Sequence, residues 1–309
     1  MNYLVQAMRL KFLTLALGCV FLGFATSIYG DYPVSILELL LCLIGALSAH
    51  VAVNTINEYQ DFTSGLDLKT SKTPFSGGSG AIVAEPSVLN SVKMVAIVSL
   101  LLTITIGLYL LTINSLWLVA YGVTGIAIIV TYTRYINTKP LLCLLAPGVG
   151  FGALIVLGTH FVLANTLELT AILASIIALI VVSNLLLLNQ FPDAEADKTV
   201  GRDHFVIRYG YQSAALIYGV LSIAAIVIVI ISCVFEFFPM IALFTLMPLV
   251  VALYVFVALK KLVFSDGVKE LNSQQFVEQG NLITLLGLNV IVANVTPMLL
   301  ALTLLISVY

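Results

Sequence analysis

Residues 168–197 read ELTAILASIIALIVVSNLLLLNQFPDAEAD: an uncharged apolar run from 169 to 192, then three carboxylates in five positions. A helix needs about 20 mostly apolar residues to cross the hydrocarbon core. The stretch therefore predicts a membrane span near 168–190 that ends in an acidic cluster. The same arrangement appears once more, where an apolar run near 34–54 is followed by NEYQDFTSGLD at 57–67.

Extended over the whole chain, the same reading finds nine windows: 12–29, 34–54, 93–113, 116–134, 141–164, 168–190, 213–235, 238–263 and 283–307. The 309 residues are 61% hydrophobic and 9% charged, with a mean hydropathy of +1.14. Soluble domains carry about 25% charged residues, so a soluble enzyme is excluded. A net charge of −2 offers no basic surface, and no nucleic-acid partner is expected. Residues 12–29, behind Arg9 and Lys11, read as the first of many spans rather than a removed leader. Cys19, Cys42, Cys143 and Cys233 stand singly, without the CxxC spacing of a metal knuckle or redox pair. The expected fold is an all-α integral membrane protein. A single domain over 1–309 would bundle about nine transmembrane helices, with loops capping a lipid-accessible cavity.

Charge sets the orientation. In the nine-span arrangement all 13 Lys and Arg residues fall on one side: Arg9, Lys11, Lys69, Lys72, Lys93, Arg134, Lys139, Lys198, Arg202, Arg208, Lys260, Lys261 and Lys269. The other side holds only Asp31, Glu38, Glu168 and Glu236. The positive-inside rule then predicts a cytoplasmic N-terminus, an outer C-terminus and a site at the cytoplasmic face of the cell membrane. The long inner loops, 55–92 and 191–212, are the ones that carry the two acidic motifs.

Both motifs start with Asn and place Asp four residues on, Asn57 to Asp61 and Asn189 to Asp193, with a further Asp at Asp67 and Asp197. Residues four apart share a helix face, so each set projects together. Four spans separate the motifs, which points to an internal pseudo-repeat with copies at 57–67 and 189–197. Clustered carboxylates suit Mg²⁺, a hard cation held by a few carboxylates plus substrate phosphates. Two facing clusters would hold Mg²⁺ with a diphosphate between them, and Lys69, Lys72, Lys139, Lys198, Arg202 and Arg208 would neutralise the remaining phosphate charge.

At these residues the chain resembles the UbiA superfamily of intramembrane prenyltransferases, which has nine transmembrane helices and aspartate-rich motifs after helices two and six. Asn57, Asp61 and Asp67 match the first motif, and Asp193 and Asp197 the second. The resemblance implies Mg²⁺-dependent transfer of a polyprenyl group from a prenyl diphosphate to an acceptor. It implies metal ligation by Asp61, Asp67, Asp193 and Asp197 and diphosphate contacts from Asn57 and Asn189. The spacing of Asp61, Gly65 and Asp67, followed by TPFSGGSG at 73–80, is similar to the menaquinone branch, whose aromatic acceptor is 1,4-dihydroxy-2-naphthoate. Tyr135 and Lys139 match a Tyr-xxx-Lys element that lies near the diphosphate in several branches. Two features depart from that branch: Pro192 replaces the usual Arg, and Arg202 stands for the lysine of a Gly-Lys segment. Alternative acceptors are 4-hydroxybenzoate, homogentisate, haem or a glycerophosphate lipid.

From another class, duplicated acidic motifs also suit a cation-coupled secondary transporter, whose sites sit near the bilayer midplane. His50, Asn54 and Asn184 lie inside spans, where they are expected to line the same cavity, and Tyr59, Tyr132 or Tyr135 would face a developing cation.

Overall fold

The computed structural model describes residues 2–70, 72–264 and 282–308. All regular structure among them is helical. Nine principal helices follow in the expected order: α1 Leu13–Tyr29, α2 Ile36–Thr63, α3 Leu89–Ile113, α4 Leu118–Thr131, α5 Pro140–Ala164, α6 Leu169–Lys198, α7 Phe205–Val234, α8 Leu246–Phe264 and α9 Leu282–Ile306. All but α4 belong to segments long and apolar enough to cross a membrane. Lys269, placed on the basic side by sequence, lies outside the described residues.

Two helices run well past the apolar windows, and their ends build the acidic sites. In α2 the chain begins on a Ser35 cap that accepts from the Glu38 N–H at 3.4 Å, and continues to Thr63. It stops at Gly65, which takes φ +77°, a left-handed conformation open mainly to glycine. The Ser64 N–H then bonds the Gln60 carbonyl and the Gly65 N–H the Phe62 carbonyl, at 2.9 and 3.0 Å. α6 ends in the same way, with Gly201 at φ +80° and the Arg202 N–H returning to the Asp197 carbonyl at 3.2 Å. Each motif thus folds back over the helix that carries it.

In lipid no hydrophobic effect pulls helices together, so small residues and interhelical hydrogen bonds decide the packing. α5 supplies the small residues. A Cβ on Gly152 would lie 2.4 Å from the Ser175 carbonyl oxygen and 2.6 Å from the Leu179 nitrogen, both in α6. One on Gly148 would lie 2.3 Å from the Leu179 oxygen. On α5's other flank, Gly23 of α1 meets the Val156 carbonyl in the same manner, at 2.4 Å. Between Val149 and Val156 the helix widens into a π-helical turn, a distortion frequent at functional sites.

The hydrogen bonds come from a buried seam of α6, α7 and α9. Asn184 donates to the Tyr218 carbonyl and the Ser222 hydroxyl, both at 3.0 Å. Asn289 donates to the Asn184 carbonyl at 3.0 Å and accepts from the Tyr218 hydroxyl at 2.9 Å. Such bonds contribute about 0.6 kcal/mol each in bilayers. Asn184 is therefore a structural joint between helices and not a cavity residue, contrary to the sequence expectation.

α4 is the loosely held element: only Leu118 and Ile129 are buried along its length. Between it and α2, α3 and α5 lies a cavity of about 530 Å³. Two of its lining residues, Leu108 of α3 and Val123 of α4, are 60% and 62% exposed. The cavity wall thus reaches the lipid-facing surface.

Replacing Gly152 by Ala is expected to force the α5 and α6 backbones apart at a cost of about 1–3 kcal/mol. Thermal unfolding in detergent should show a lowered Tm. The control is Gly107→Ala, where nothing lies within 4 Å of the new methyl and no change is expected.

Candidate active site

The polar end of the cavity is where the two motifs meet. Asp61 sits on the last turn of α2, and Asp193 and Asp197 on the last two turns of α6, while Asp67 lies just past the Gly65 turn. Asp61, Asp67 and Asp197 are buried, as is Glu58. Arg202 joins the motifs. Its guanidinium pairs with Asp61 through one nitrogen and with Asp197 Oδ1 through the other, the latter at 2.8 Å. Burial works against that cation, but Asp61 and Asp197 hold it above its ordinary pKa. His204, also buried, places Nε2 3.2 Å from Asp197 Oδ2.

A second guanidinium enters from the N-terminal segment. Arg9 donates through Nε to Glu58 Oε1 at 2.8 Å and reaches Asn57 Oδ1 at 3.4 Å. Glu58 in turn accepts from the Ser79 backbone N–H at 2.7 Å and from its hydroxyl at 2.5 Å. The segment Ser76–Gly80 is thereby drawn over both motifs. The Gly77 N–H donates to Asp193 Oδ2 at 3.1 Å, and a Cβ on Gly78 would lie 2.9 Å from Asp67 Oδ1. Gly80 leaves room for Lys72, whose Nζ lies 1.7 Å from where a Cβ would stand. Gly77, Gly78 and Gly80 all have φ between +72° and +77°, so this wrap requires glycine.

The charges do not balance. Five buried or half-buried carboxylates (Glu58, Asp61, Asp67, Asp193 and Asp197) face two guanidiniums, Arg9 and Arg202. Burial pushes the Asp67 carboxyl up to about 7, with Glu58 and Asp61 adding to the shift and Arg9 and Lys72 opposing it. Asp67 Oδ2, Asp193 Oδ1 and Asn189 Oδ1 are buried without a hydrogen-bond partner. Among the described residues, no three carboxylate, imidazole or thiol groups stand close enough to hold an ion between them. Arg202 stands between Asp61 and Asp197. The donor set is all hard oxygen, it carries surplus negative charge and it has orphaned acceptors, so Mg²⁺ fits its chemistry.

The remaining predicted residues divide. Asn57 and Asn189 line the cavity, with Asn57 donating to Thr133 Oγ1 at 3.3 Å. Lys69 reaches the Thr199 hydroxyl at 3.5 Å beside the second motif, while Lys198 is exposed on the last turn of α6. Arg208 pairs with Asp203 at the exposed start of α7 through an Nε contact of 2.9 Å. Tyr135 is 67% exposed and Lys139 is exposed, whereas Tyr132 lines the cavity. The sequence reading missed the placement of Arg9 at the site. Arg9 carried no usable signal, since 48 positions separate it from Asn57.

Comparison with known proteins follows the same lines. A 1,4-dihydroxy-2-naphthoate octaprenyltransferase of Bacillus subtilis (strain 168) is 32% identical over 187 residues, covering 59% of this chain and 58% of that protein. The chain thus spans less than two thirds of that relative's length. One of the same name from Haemophilus influenzae is 28% identical, covering 72% and 74% respectively. Among solved structures, an apo UbiA homologue from Aeropyrum pernix K1 superposes with a TM-score of 0.67 at 15% identity, over 97% of this chain and 98% of that one. A UbiA homologue from Archaeoglobus fulgidus, bound to DMAPP and Mg²⁺, gives a TM-score of 0.59 at 14% identity, over 97% and 99%. Residues 16–269 match the family model described as UbiA prenyltransferase family, and the chain belongs to that family.

Proposed function

We propose that this protein transfers a polyprenyl group from a Mg²⁺-bound prenyl diphosphate to an aromatic acceptor, with 1,4-dihydroxy-2-naphthoate as the foremost candidate. The carrying observation is the meeting of Asp61 and Asp197 across Arg202, at the mouth of an apolar cavity. The acceptor is favoured by the names of the two curated relatives. The chain works as one membrane domain over residues 1–309, and the glycine stops Gly65 and Gly201 support a pseudo-repeat. By the distribution of Lys and Arg, the site faces the cytoplasm.

Asp61, Asp67, Asp193 and Asp197 would hold Mg²⁺, with the Asn57 and Asn189 side chains beside them. Bound Mg²⁺ would supply charge neutralisation of the diphosphate as a leaving group. Arg9, Arg202 and Lys72 supply fixed positive charge around the same group, as preorganised electrostatics requires. The other proposed cations, Lys69, Lys139, Lys198 and Arg208, stand on the outer rim with Tyr135, where they steer an anionic substrate inward. The prenyl tail lies among the apolar walls of α3, α4 and α5 and enters past Leu108 and Val123. Ionisation of the allylic C–O bond leaves a carbocation. The Tyr132 ring at the cavity wall faces that charge, and the apolar lining keeps water from capturing it. An electron-rich acceptor carbon then forms the new C–C bond and sheds what it carried: a proton, taken up by the released diphosphate, or carbon dioxide where that carbon bore the carboxylate.

In detergent with Mg²⁺ and a long-chain prenyl diphosphate, the wild type should convert 1,4-dihydroxy-2-naphthoate to a prenylated product detectable by mass. Asp61→Asn and Asp193→Asn, each eluting as a monodisperse species, should lose about 100-fold or more of that rate. Product from 4-hydroxybenzoate but not from the naphthoate would replace the acceptor. No product from any of the acceptors would remove the reading.

Arg202→Gln should act without substrate. Breaking a buried ion pair leaves like charges facing each other and costs about 3–5 kcal/mol. The Tm of the metal-free variant should fall, and millimolar Mg²⁺ should raise it by more than it raises the wild type.

A further inference from the structure

The cavity wall formed by α2 carries a polar stripe directed away from the motif: Asn57, Asn54 and His50, in steps of three and four residues along one helix face. His50 stands about 10 Å below Asn57 along the helix axis and about 16 Å below Asp61. It is 7% exposed. Its ring packs edge-on to Phe151 in the π-helical turn of α5, with centroids 4.9 Å apart and planes at 79°. The imidazole is thus buried, oriented and on the wall of a cavity that is otherwise mostly aliphatic.

The neighbouring amides already have partners. Asn54 donates to the Met8 carbonyl at 3.3 Å. Asn57 is shared between Thr133 and Arg9. Asn294, on the facing wall, donates to the Val290 carbonyl and accepts from the Thr14 hydroxyl, both at 2.8 Å. Neither ring nitrogen of His50 has one: Nδ1 is closed off in the packing, and Nε2 is the nitrogen that stays open at the cavity wall. A buried polar atom without a partner is costly unless something else satisfies it. A prenyl tail has no donor to offer. A diphosphate belongs more than two helical turns away, among the cations. What remains is a donor on a flat apolar body that fits beside Phe151: the hydroxyl of an aromatic acceptor.

We propose that His50 is the acceptor-binding residue of this cavity. Its Nε2, in the tautomer with the proton on Nδ1, accepts a hydrogen bond from a phenolic hydroxyl while the acceptor ring packs near Phe151. This bond sets the edge of the ring that faces the diphosphate end. The assignment rests on the prenyl-transfer reading and names the side chain that selects hydroxylated rings. A site built to bond a hydroxyl discriminates strongly against the analogue that lacks it.

Equilibrium binding to the purified full chain, without prenyl diphosphate, tests this. The probes are 1,4-dihydroxy-2-naphthoate and 2-naphthoate, the same ring without hydroxyls. Wild type should bind the dihydroxy compound at least tenfold tighter. His50→Phe and His50→Ala should each lose that preference, while His50→Gln, which keeps an acceptor near the Nε2 position, should retain part of it. Geranyl diphosphate with Mg²⁺ should bind all four proteins within about twofold, so a general loss of fold would be visible. A wild type without preference, or a preference that survives in the folded His50→Phe or His50→Ala variant, overturns the assignment. Because no turnover is read, a hydroxyl preference carried by His50 in a protein that transfers nothing would count against the transfer reading and leave this one standing.

Discussion

The bridge from Asp61 through Arg202 to Asp197 is the contact on which the rest of the site depends. It ties the end of α2 to the end of α6, two helices that α1, α5 and their small residues otherwise hold together from the far side. Ordinarily the mutual repulsion of buried carboxylates would spread these ends or protonate them. One guanidinium stands between two of the carboxylates, and Arg9 pairs with Glu58. At Asp67 burial first, and the charges of Glu58 and Asp61 second, push the carboxyl up to about 7. The chemistry of such a donor set suits the compact charge of a divalent cation.

The glycine-rich segment adds a second level. Ser76–Gly80 spends backbone and side-chain donors on Glu58 and Asp193. Those N–H groups are the kind that cradle phosphate when carboxylates are otherwise engaged. Glu58 is therefore best understood as an anchor: it fixes the loop through Ser79 and fixes Arg9, and so sets the roof of the cavity without facing its interior.

Much of this was legible beforehand, for identifiable reasons. Hydropathy and the one-sided Lys and Arg distribution located nine helices because lipid imposes length and charge constraints on every span. The motifs were legible because Asn57 and Asp61, and Asn189 and Asp193, repeat one spacing. Rotational phase was not. Asn184 and Asn189 are five residues apart, about 140° around a helix, so one lies in the α6–α7–α9 seam and the other on the cavity wall. Tyr132 and Tyr135 would share a face on a continuous helix. The chain leaves α4 at Tyr132 and enters a 3₁₀ turn at Ile136–Thr138, which turns Tyr135 outward. Arg9 depends on a left-handed residue at φ +53°, a conformation that composition does not announce.

α4 explains how a charged site and a cavity open to lipid stand side by side. At 14 residues it is the shortest of the nine, about 21 Å long against a hydrocarbon core of about 30 Å. Exposed aromatic residues flank it, Trp117 at 75% and Tyr135 at 67%, and such rings favour the membrane–water interface. A short helix pinned at both ends draws the polar rim inward relative to its neighbours, or thins the bilayer beside it. It also buries only two residues and so leaves the seam with α3 open at Leu108 and Val123. The same shortness that weakens α4's packing thus brings the lipid phase close to the carboxylates, so that a long apolar chain can reach them without crossing water.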